Sequence, residues 1–410
     1  MVDRTVAVVG GGVIGASCAL TLAREGYKVT IFERGRVGHG CSWGNGAQFN
    51  VGSSLPMAYP GVARQAIKWL VSANGPVHIA PREVPRALPW LFRFLNTGRM
   101  KRWEAAYDAL HALNSQCASL YREMLGETDW SRLFRTNGAV HVFRDELAGP
   151  LDGIVDAMRR EKGVRFQRIS AQEVQELEPQ LSRAYRRGIF FPDSGQVLSP
   201  VGLVEGMMQK AGALGAGVLR ATVFAVEPGP DDVTLRTSLG AQVFDYVVIA
   251  AGISSQELAR SLDVALPLAS ERGYHVTMRG IANAISRPVT DAASAFVATP
   301  LSEGLRFVGI AEFEKPGAAP DPRQSKKLQA WAKTMLPDLA IGEVSDWMGV
   351  RPSTPDSLPL VDRHPRHPSV FFATGHGHMG ISGAPMTAAL ISDLIAAREP
   401  RIRIAPYRLR

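Results

Sequence analysis

The chain begins with a fully apolar, β-branched run, Thr5–Val9, which passes directly into Gly10-Gly11-Gly12-Val13-Ile14-Gly15. From 13 to 25 the apolar positions Ile14, Cys18, Ala19 and Leu22 recur near helical spacing, and Gly26 supplies a stop signal. Lys28–Glu33 returns to strand character. The pattern predicts a β-α-β unit of about 30 residues, the setting that a dinucleotide-type glycine loop requires. Residues 82–135 predict helices rich in Trp, Leu and Phe, with Trp90 to Leu95 as a nearly continuous apolar stretch that suits either a core or an interface. Further strands are predicted at 138–143, 218–226 and 244–250, and a helix at 200–214. Residues 263–344 read as short strands alternating with turns. The last segment, 370–397, predicts a strand, a glycine-rich loop and a helix over 382–396, with Pro385 in its first turn.

A chain of 410 residues exceeds one ordinary core, so two domains are expected. Apolar content of 46% and charged content of 20% are those of a soluble globular protein. No apolar run approaches the roughly 18 residues of a membrane span, and the first residues lack the features of a signal peptide. The expectation is a cytoplasmic, unprocessed chain. Cys18, Cys41 and Cys117 fit neither a disulfide framework nor a zinc pattern. The net charge of +8 invites an anionic partner, but no nucleic-acid module is visible. The last residues carry Arg398, Arg401, Arg403, Arg408 and Arg410. The simple reading is a solvated tail, the sharper one peripheral contact with an anionic membrane surface.

Gly10, Gly12 and Gly15 fit G-x-G-x-x-G, and Glu33 closes the second strand. The glycines allow a tight turn, close approach of a pyrophosphate and close helix–strand packing. Free N–H groups at the helix start favour phosphate, and a carboxylate at Glu33 suits ribose hydroxyls while repelling a 2′-phosphate. With 40 glycines the motif alone is weak, but strand, helix and terminal acid in register make it strong. The unit does not itself separate NAD from FAD.

Three further segments carry a resemblance: Gly40-Cys41-Ser42-Trp43-Gly44-Asn45-Gly46-Ala47-Gln48, then Val247-Val248-Ile249-Ala250-Ala251-Gly252, then Trp347-Met348-Gly349-Val350-Arg351-Pro352-Ser353 with Thr374-Gly375-His376-Gly377-His378-Met379-Gly380. Together they resemble the D-amino-acid oxidase and glycine/sarcosine oxidase superfamily, most closely the D-amino-acid dehydrogenases of the small-subunit type. The stretch Ser53-Ser54-Leu55-Pro56-Met57-Ala58-Tyr59-Pro60-Gly61, with Ile67-Lys68-Trp69-Leu70 after it, is similar to the same dehydrogenases.

The resemblance implies an α/β fold: a Rossmann-like FAD-binding domain with parallel sheet, helices and a β-meander (1–81, 195–262, 345–410), and an inserted α+β substrate domain (82–194, 263–344). It implies FAD held by Gly10, Gly12, Val13, Ile14, Gly15, Glu33 and Arg34, with Ser42 and Gly44 to Gln48 (Asn45, Gly46 and Ala47 between) along the pyrophosphate and ring. Val223 would bond the adenine through its backbone, Ala251 and Gly252 would adjoin the ribityl, and Gly377, His378, Met379, Gly380 and Ile381 would face the ring edge. Noncovalent binding is expected. His39 does not match the register of covalent relatives, and no Cys lies in the C-terminal half. The terminal helix would aim its N-terminus at the charge that builds on a reduced flavin, a stabilisation of about 0.3–2 kcal/mol.

On the substrate side, the Arg of the family's R-P motif is Arg351, which implies a clamp on a substrate carboxylate through two parallel hydrogen bonds. A structural ion pair with Asp346 or Asp356 is the competing reading. Tyr274 and His275 follow Gly273 on a predicted strand and must point to opposite faces. The resemblance favours Tyr274 towards the substrate, with His275 packed away. Tyr59 and Met57 suit the pocket mouth and the core equally. His376 and His378, one glycine apart without nearby Cys or carboxylate, make a poor metal set, so no metal is expected.

The implied reaction is oxidation of a small amino acid or amine, a D-amino acid foremost, to the imino acid, with electrons passed to a quinone, a partner protein or oxygen. Ile381-Ser382 stands where D-amino-acid dehydrogenases usually carry Trp-Thr. That departure leaves D-proline, hydroxyproline, glycine and sarcosine as substrates, and a flavin-binding component of a larger assembly as a further alternative.

Overall fold

Thr5–Val9 lies between Lys28–Glu33 and Tyr246–Ile249, in a computed structural model that describes residues 4–49, 51–52, 54–72, 75–315, 317–340 and 342–410. Ser53 and the side chain of Leu70 lie outside the described residues. The sheet runs Gly217–Arg220, Lys28–Glu33, Thr5–Val9, Tyr246–Ile249, Val370–Thr374, Leu360–Arg363 and is parallel except for its last pair. Its central strands are apolar because helices cover one face and an antiparallel meander covers the other. The meander is Val223–Pro228, Val233–Thr237 and Gly240–Phe244. The fold class is the expected mixed α/β one.

A second sheet, of nine strands among the described residues, is mainly antiparallel. It includes Ala139–Phe143 and Arg187–Phe191, and Ala269–Met278 is hydrogen-bonded between Gly304–Phe313 and Val344–Ser353. Helix Pro322–Met335 packs Leu328, Ala332 and Met335 against one face of it. The strand Val344–Ser353 crosses the division expected at 345, so Arg351 rides on the nine-stranded sheet. No helix among the described residues is long and apolar enough to cross a membrane.

Several elements differ from the sequence reading. The strand expected over 218–226 is two strands in different sheets, parted where Ala221 N–H bonds the Glu33 carbonyl (3.0 Å). The strand expected over 244–250 is Tyr246–Ile249. Phe244 ends the meander, and Asp245 turns aside to accept from Thr5 N–H (2.7 Å). Residues 263–344 hold two ten-residue strands and a helix rather than short strands alone. The C-terminal segment is docked through Tyr407, while its five arginines stay exposed. Tyr407 is fully buried with its hydroxyl on Ala109 O (2.6 Å), and Arg398, Arg401 and Arg410 have carboxylate partners.

The terminal helix begins at Gly380, two residues early, so Pro385 sits inside it. Proline removes the N–H that would reach the Ile381 carbonyl. The buried hydroxyl of Tyr121 supplies the missing donor, at 2.9 Å. Tyr121→Phe should therefore cost about 1–3 kcal/mol, the penalty of a buried unpaired acceptor. Adding Pro385→Ala should return part of that loss in urea unfolding, because alanine restores the N–H. A single Tyr121→Phe variant as stable as the parent would refute this account.

His275 and His376 are buried, and desolvation pushes both down to about 3, with the Arg306 charge adding to the effect at His275. In the unfolded chain each titrates near 6.5. Below that value the unfolded state binds up to two more protons, so stability is present at neutral pH and falls as pH drops towards 3. The pair accounts for a loss of about 3–4 kcal/mol between pH 7 and pH 5. Urea midpoints that stay level across this interval would contradict it.

Candidate active site

The first glycine loop brings helix Val13–Arg24 down onto its strand. A Cβ at Gly15 would stand 1.9 Å from the Gly10 carbonyl oxygen, so a larger residue there would lift the helix away. The helix N-cap, Gly12, offers no side-chain acceptor, and the first turn holds no acid. Ser42 Oγ accepts from Val13 N–H at 2.9 Å. Glu33 ends its strand beside the loop and accepts from Gly11 N–H (2.7 Å) and Gly35 N–H (2.8 Å), with Arg34 exposed next to it. The Ala221–Glu33 bond brings the start of Val223–Pro228 to this corner, and Ala250 N–H to Val9 O (2.9 Å) brings Ala251 and Gly252 to the loop.

The terminal helix arrives at the same place. A Cβ on Gly380 would lie 3.7 Å from Val13 Cγ1, and Met379 packs with Ile14 on one core cluster. At their far ends the two helices are joined by Arg398, which pairs with Glu25 (2.7 Å) and Asp393 (3.1 Å). They are therefore parallel, with both positive dipole ends together. A cation serves the negative ends, whereas neither first turn has an acid. An anion such as a pyrophosphate suits the positive ends.

Facing these helix starts is the loop 42–48. Its carbonyls are taken by donors from the nine-stranded sheet. Arg306, fully buried, donates to Trp43 O (2.6 Å) and Asn45 O (2.9 Å); His275 Nδ1 meets Gly44 O (3.2 Å); Thr299 Oγ1 donates to Gly46 O (2.8 Å). Ala47 holds a left-handed φ of 58° with its N–H on Asn45 Oδ1 (2.8 Å). His39 Nε2, Gln48 Nε2 and His275 Nε2 are buried without a partner among the described residues. Unpaired buried nitrogens along a loop whose carbonyls are satisfied fit a polar ligand that completes them.

Arg351 lies opposite Glu271 in the strand pairing, and its Nη1 donates to Glu271 Oε1 (2.7 Å) and Ile310 O (3.1 Å). The ion-pair partner is thus Glu271, not Asp346 or Asp356, which bind Ser325 and Arg410. Ser353 Oγ secures the other Glu271 oxygen at 2.7 Å. Nε and Nη2 of Arg351 engage nothing among the described residues. The guanidinium lies over Gly273, where a Cβ would fall 2.2 Å from Nη2. His378, from the loop before the terminal helix, lies beside this ion pair.

Strand alternation puts Glu271, Gly273 and His275 on the Arg351 face. Tyr274 points the other way, contrary to expectation. Its hydroxyl donates to Glu312 (2.6 Å) and accepts from Asp321 N–H (3.1 Å), beneath helix Pro322–Met335. Burial and the Glu312 carboxylate push this phenol up. His275 takes the loop side, edge-on to Trp43 and stacked on Trp347 at 5.3 Å each. Glu271 was missed by sequence reading; its signal was the register that sets it opposite Arg351. Among the described residues no cluster could hold a metal.

The family model described as FAD dependent oxidoreductase matches residues 5–394. A D-amino-acid oxidase of Bradyrhizobium diazoefficiens is 30% identical over 98% of this chain and 98% of its own length. A D-amino acid dehydrogenase 2 of Ralstonia nicotianae is also 30% identical, over 98% of this chain and 99% of its own. The fold is that of glycine oxidase from Geobacillus kaustophilus (TM-score 0.74, 24% identity, 100% and 99% covered) and of L-proline dehydrogenase from P. horikoshii (TM-score 0.77, 17% identity, 99% and 96% covered). With its glycine cradle, paired helix starts and partnerless loop nitrogens all suited to such a nucleotide, the chain belongs to the FAD dependent oxidoreductase family.

Proposed function

We propose that this chain oxidises a small amino acid, a D-amino acid foremost, to the corresponding imino acid. The observation that carries the reading is the half-engaged guanidinium of Arg351 with Glu271 beside it. Nε and Nη2, free among the described residues, form the planar edge that takes a carboxylate in two parallel bonds. Glu271 presents a negative charge 2.7 Å from Nη1, so the pair matches the paired charges of a zwitterion. A simple carboxylate would meet the same arginine and be repelled by the same glutamate. The names of the 30% identical relatives support an amino acid as substrate.

In this reading the glycine loop with Val13 and Ile14 holds the pyrophosphate, Glu33 the ribose, Val223 the adenine, and Ser42 with Gly44 to Gln48 the ring side. Ala251, Gly252 and Gly377 to Ile381 close the remaining edges. FAD is bound noncovalently and, when bound, supplies hydride acceptance from the substrate Cα–H. Arg351 fixes the carboxylate and thereby the orientation of that C–H, which is most of what the protein must provide. His275, neutral at working pH, holds the loop through Gly44. Ser353 holds Glu271 in place. The strand Val344–Ser353 would be the joint between cofactor and substrate domains. Electrons pass to oxygen, a quinone or a partner protein, and the three unpaired thiols suit a cytoplasmic setting.

Anaerobic mixing with D- and L-amino acids, glycine, sarcosine and hydroxyproline should bleach the flavin band, fastest with a D-amino acid. Peroxide formed in air separates oxidase from dehydrogenase. Arg351→Met should lower kcat/KM roughly 30- to 1000-fold while the bound flavin spectrum stays normal. Activity within about threefold of the parent would remove Arg351 from the site.

Glu271→Gln should change selectivity rather than fold. Simple monocarboxylates, titrated by their effect on flavin absorbance, should bind about tenfold tighter, while zwitterions bind more weakly. An unaltered ratio between the two ligand classes would end the zwitterion-matching role of Glu271.

A further inference from the structure

The stretch 90–95, equally suited by sequence to core or interface, is divided between them. It belongs to helix Val84–Thr97, whose Trp90 and Phe94 rings stack on each other at 5.3 Å, with Trp90 also against Phe313. The Trp90 indole N–H reaches Ser353 O at 3.1 Å, next to the Arg351–Glu271 pair. The opposite side of the helix is apolar and open. Phe92 is 74% exposed, Leu88 56%, Leu95 44% and Val84 39%. At 100° per residue these four fall within one arc of about 80°. Arg86 and Arg93 line the other edge of the same exposed surface.

A second helix starts beside the end of this one. A Cβ at Gly98, just after the helix, would lie 3.5 Å from Val62 Cγ1, which joins it to the start of Val62–Val71. That second helix exposes Ile67 (62%) together with Arg64 and Lys68. From 62 to 102 the chain carries eight Lys or Arg and a single acid, Glu83. All eight basic residues are exposed.

The geometry points to docking of this face on an anionic lipid bilayer, with Leu88 and Phe92 entering the interface and the surrounding cations meeting the headgroups. The charge selects that occupant. Arg82 pairs with Glu314 at 2.7 Å and Arg86 lies 3.6 Å from Glu83, and the other six cations leave an excess of positive charge beside an apolar arc of large side chains, the composition of an interfacial amphipathic helix. Long Arg and Lys stems can lie along the apolar boundary while their charges reach the phosphates. A second copy of this chain would bring eight more cations to the same patch.

The test is co-sedimentation of the flavin-loaded protein with vesicles of phosphatidylcholine containing about 30 mol% phosphatidylglycerol, against vesicles of phosphatidylcholine alone. Binding is expected to the anionic vesicles only, and to weaken as salt rises. Leu88→Asp/Phe92→Asp should lower it at least about tenfold, and Arg86→Glu/Arg93→Glu should lower it comparably. Both variants should keep the parent flavin spectrum and melting temperature, which shows that they are folded. The proposal is overturned if the parent stays in the supernatant, if neutral vesicles bind equally, or if the aspartate pair binds like the parent. A dimer in sedimentation velocity that Phe92→Asp dissociates would assign the face to a second copy instead, and would overturn it as well.

Discussion

Two parallel helices that start at the same point impose the main electrostatic condition on this molecule. Val13–Arg24 and Gly380–Ile395 lie side by side through small residues such as Ala16 and Ala384, which sets like ends of their dipoles together. Arg398 relieves the negative ends. No acid in either first turn relieves the positive ends, where Gly12 and Met379 are N-caps without a side-chain acceptor. In the proposed function a bound dinucleotide does so, its pyrophosphate lying against two helix starts that carry no acid of their own. Cofactor binding should therefore be inseparable from the stability of this part of the fold.

The second constraint is how the loop 42–48 is held. Four successive carbonyls, from Trp43 to Gly46, are met by Arg306, His275 and Thr299 from one sheet. A fully buried guanidinium is costly unless all its donors are used. Arg306 spends them on two carbonyls, Thr277 and Glu303. The loop is thereby fastened on its carbonyl side, so its shape is set before any ligand arrives.

What was legible in the sequence follows from the range of the forces involved. The glycine unit is local: strand, turn, helix and terminal acid are set by neighbours within about 30 residues, and its boundaries were read almost to the residue. Arg351 could be singled out by its motif. Its partner could not, because Glu271 is 80 residues away and is chosen by strand register. The same blindness misdirected Tyr274. Alternation correctly sends Tyr274 and His275 to opposite faces, but which face meets the loop depends on where helix Pro322–Met335 packs. That helix was itself missed, although Asp321 caps it and Pro322 opens it.

The strand Ala269–Met278 shows why one arginine is read as structural and the other as functional. On one face Arg272 bonds Glu312 and the carbonyls of Ala318 and Ala319, and Tyr274 completes the carboxylate. That buried ion pair is held by both Nη atoms of Arg272 and by the Tyr274 hydroxyl, the kind of satisfaction a buried pair requires to be tolerated. On the other face Arg351 engages Nη1 alone among the described residues, and its guanidinium takes the space that a Cβ at Gly273 would fill. Two arginines on neighbouring strands, with similar partners, thus differ in what they leave unfinished. A guanidinium bonded through both Nη atoms in the core holds the sheet together, whereas one bonded through Nη1 alone keeps an edge that suits a carboxylate, and the proposed function rests on that difference.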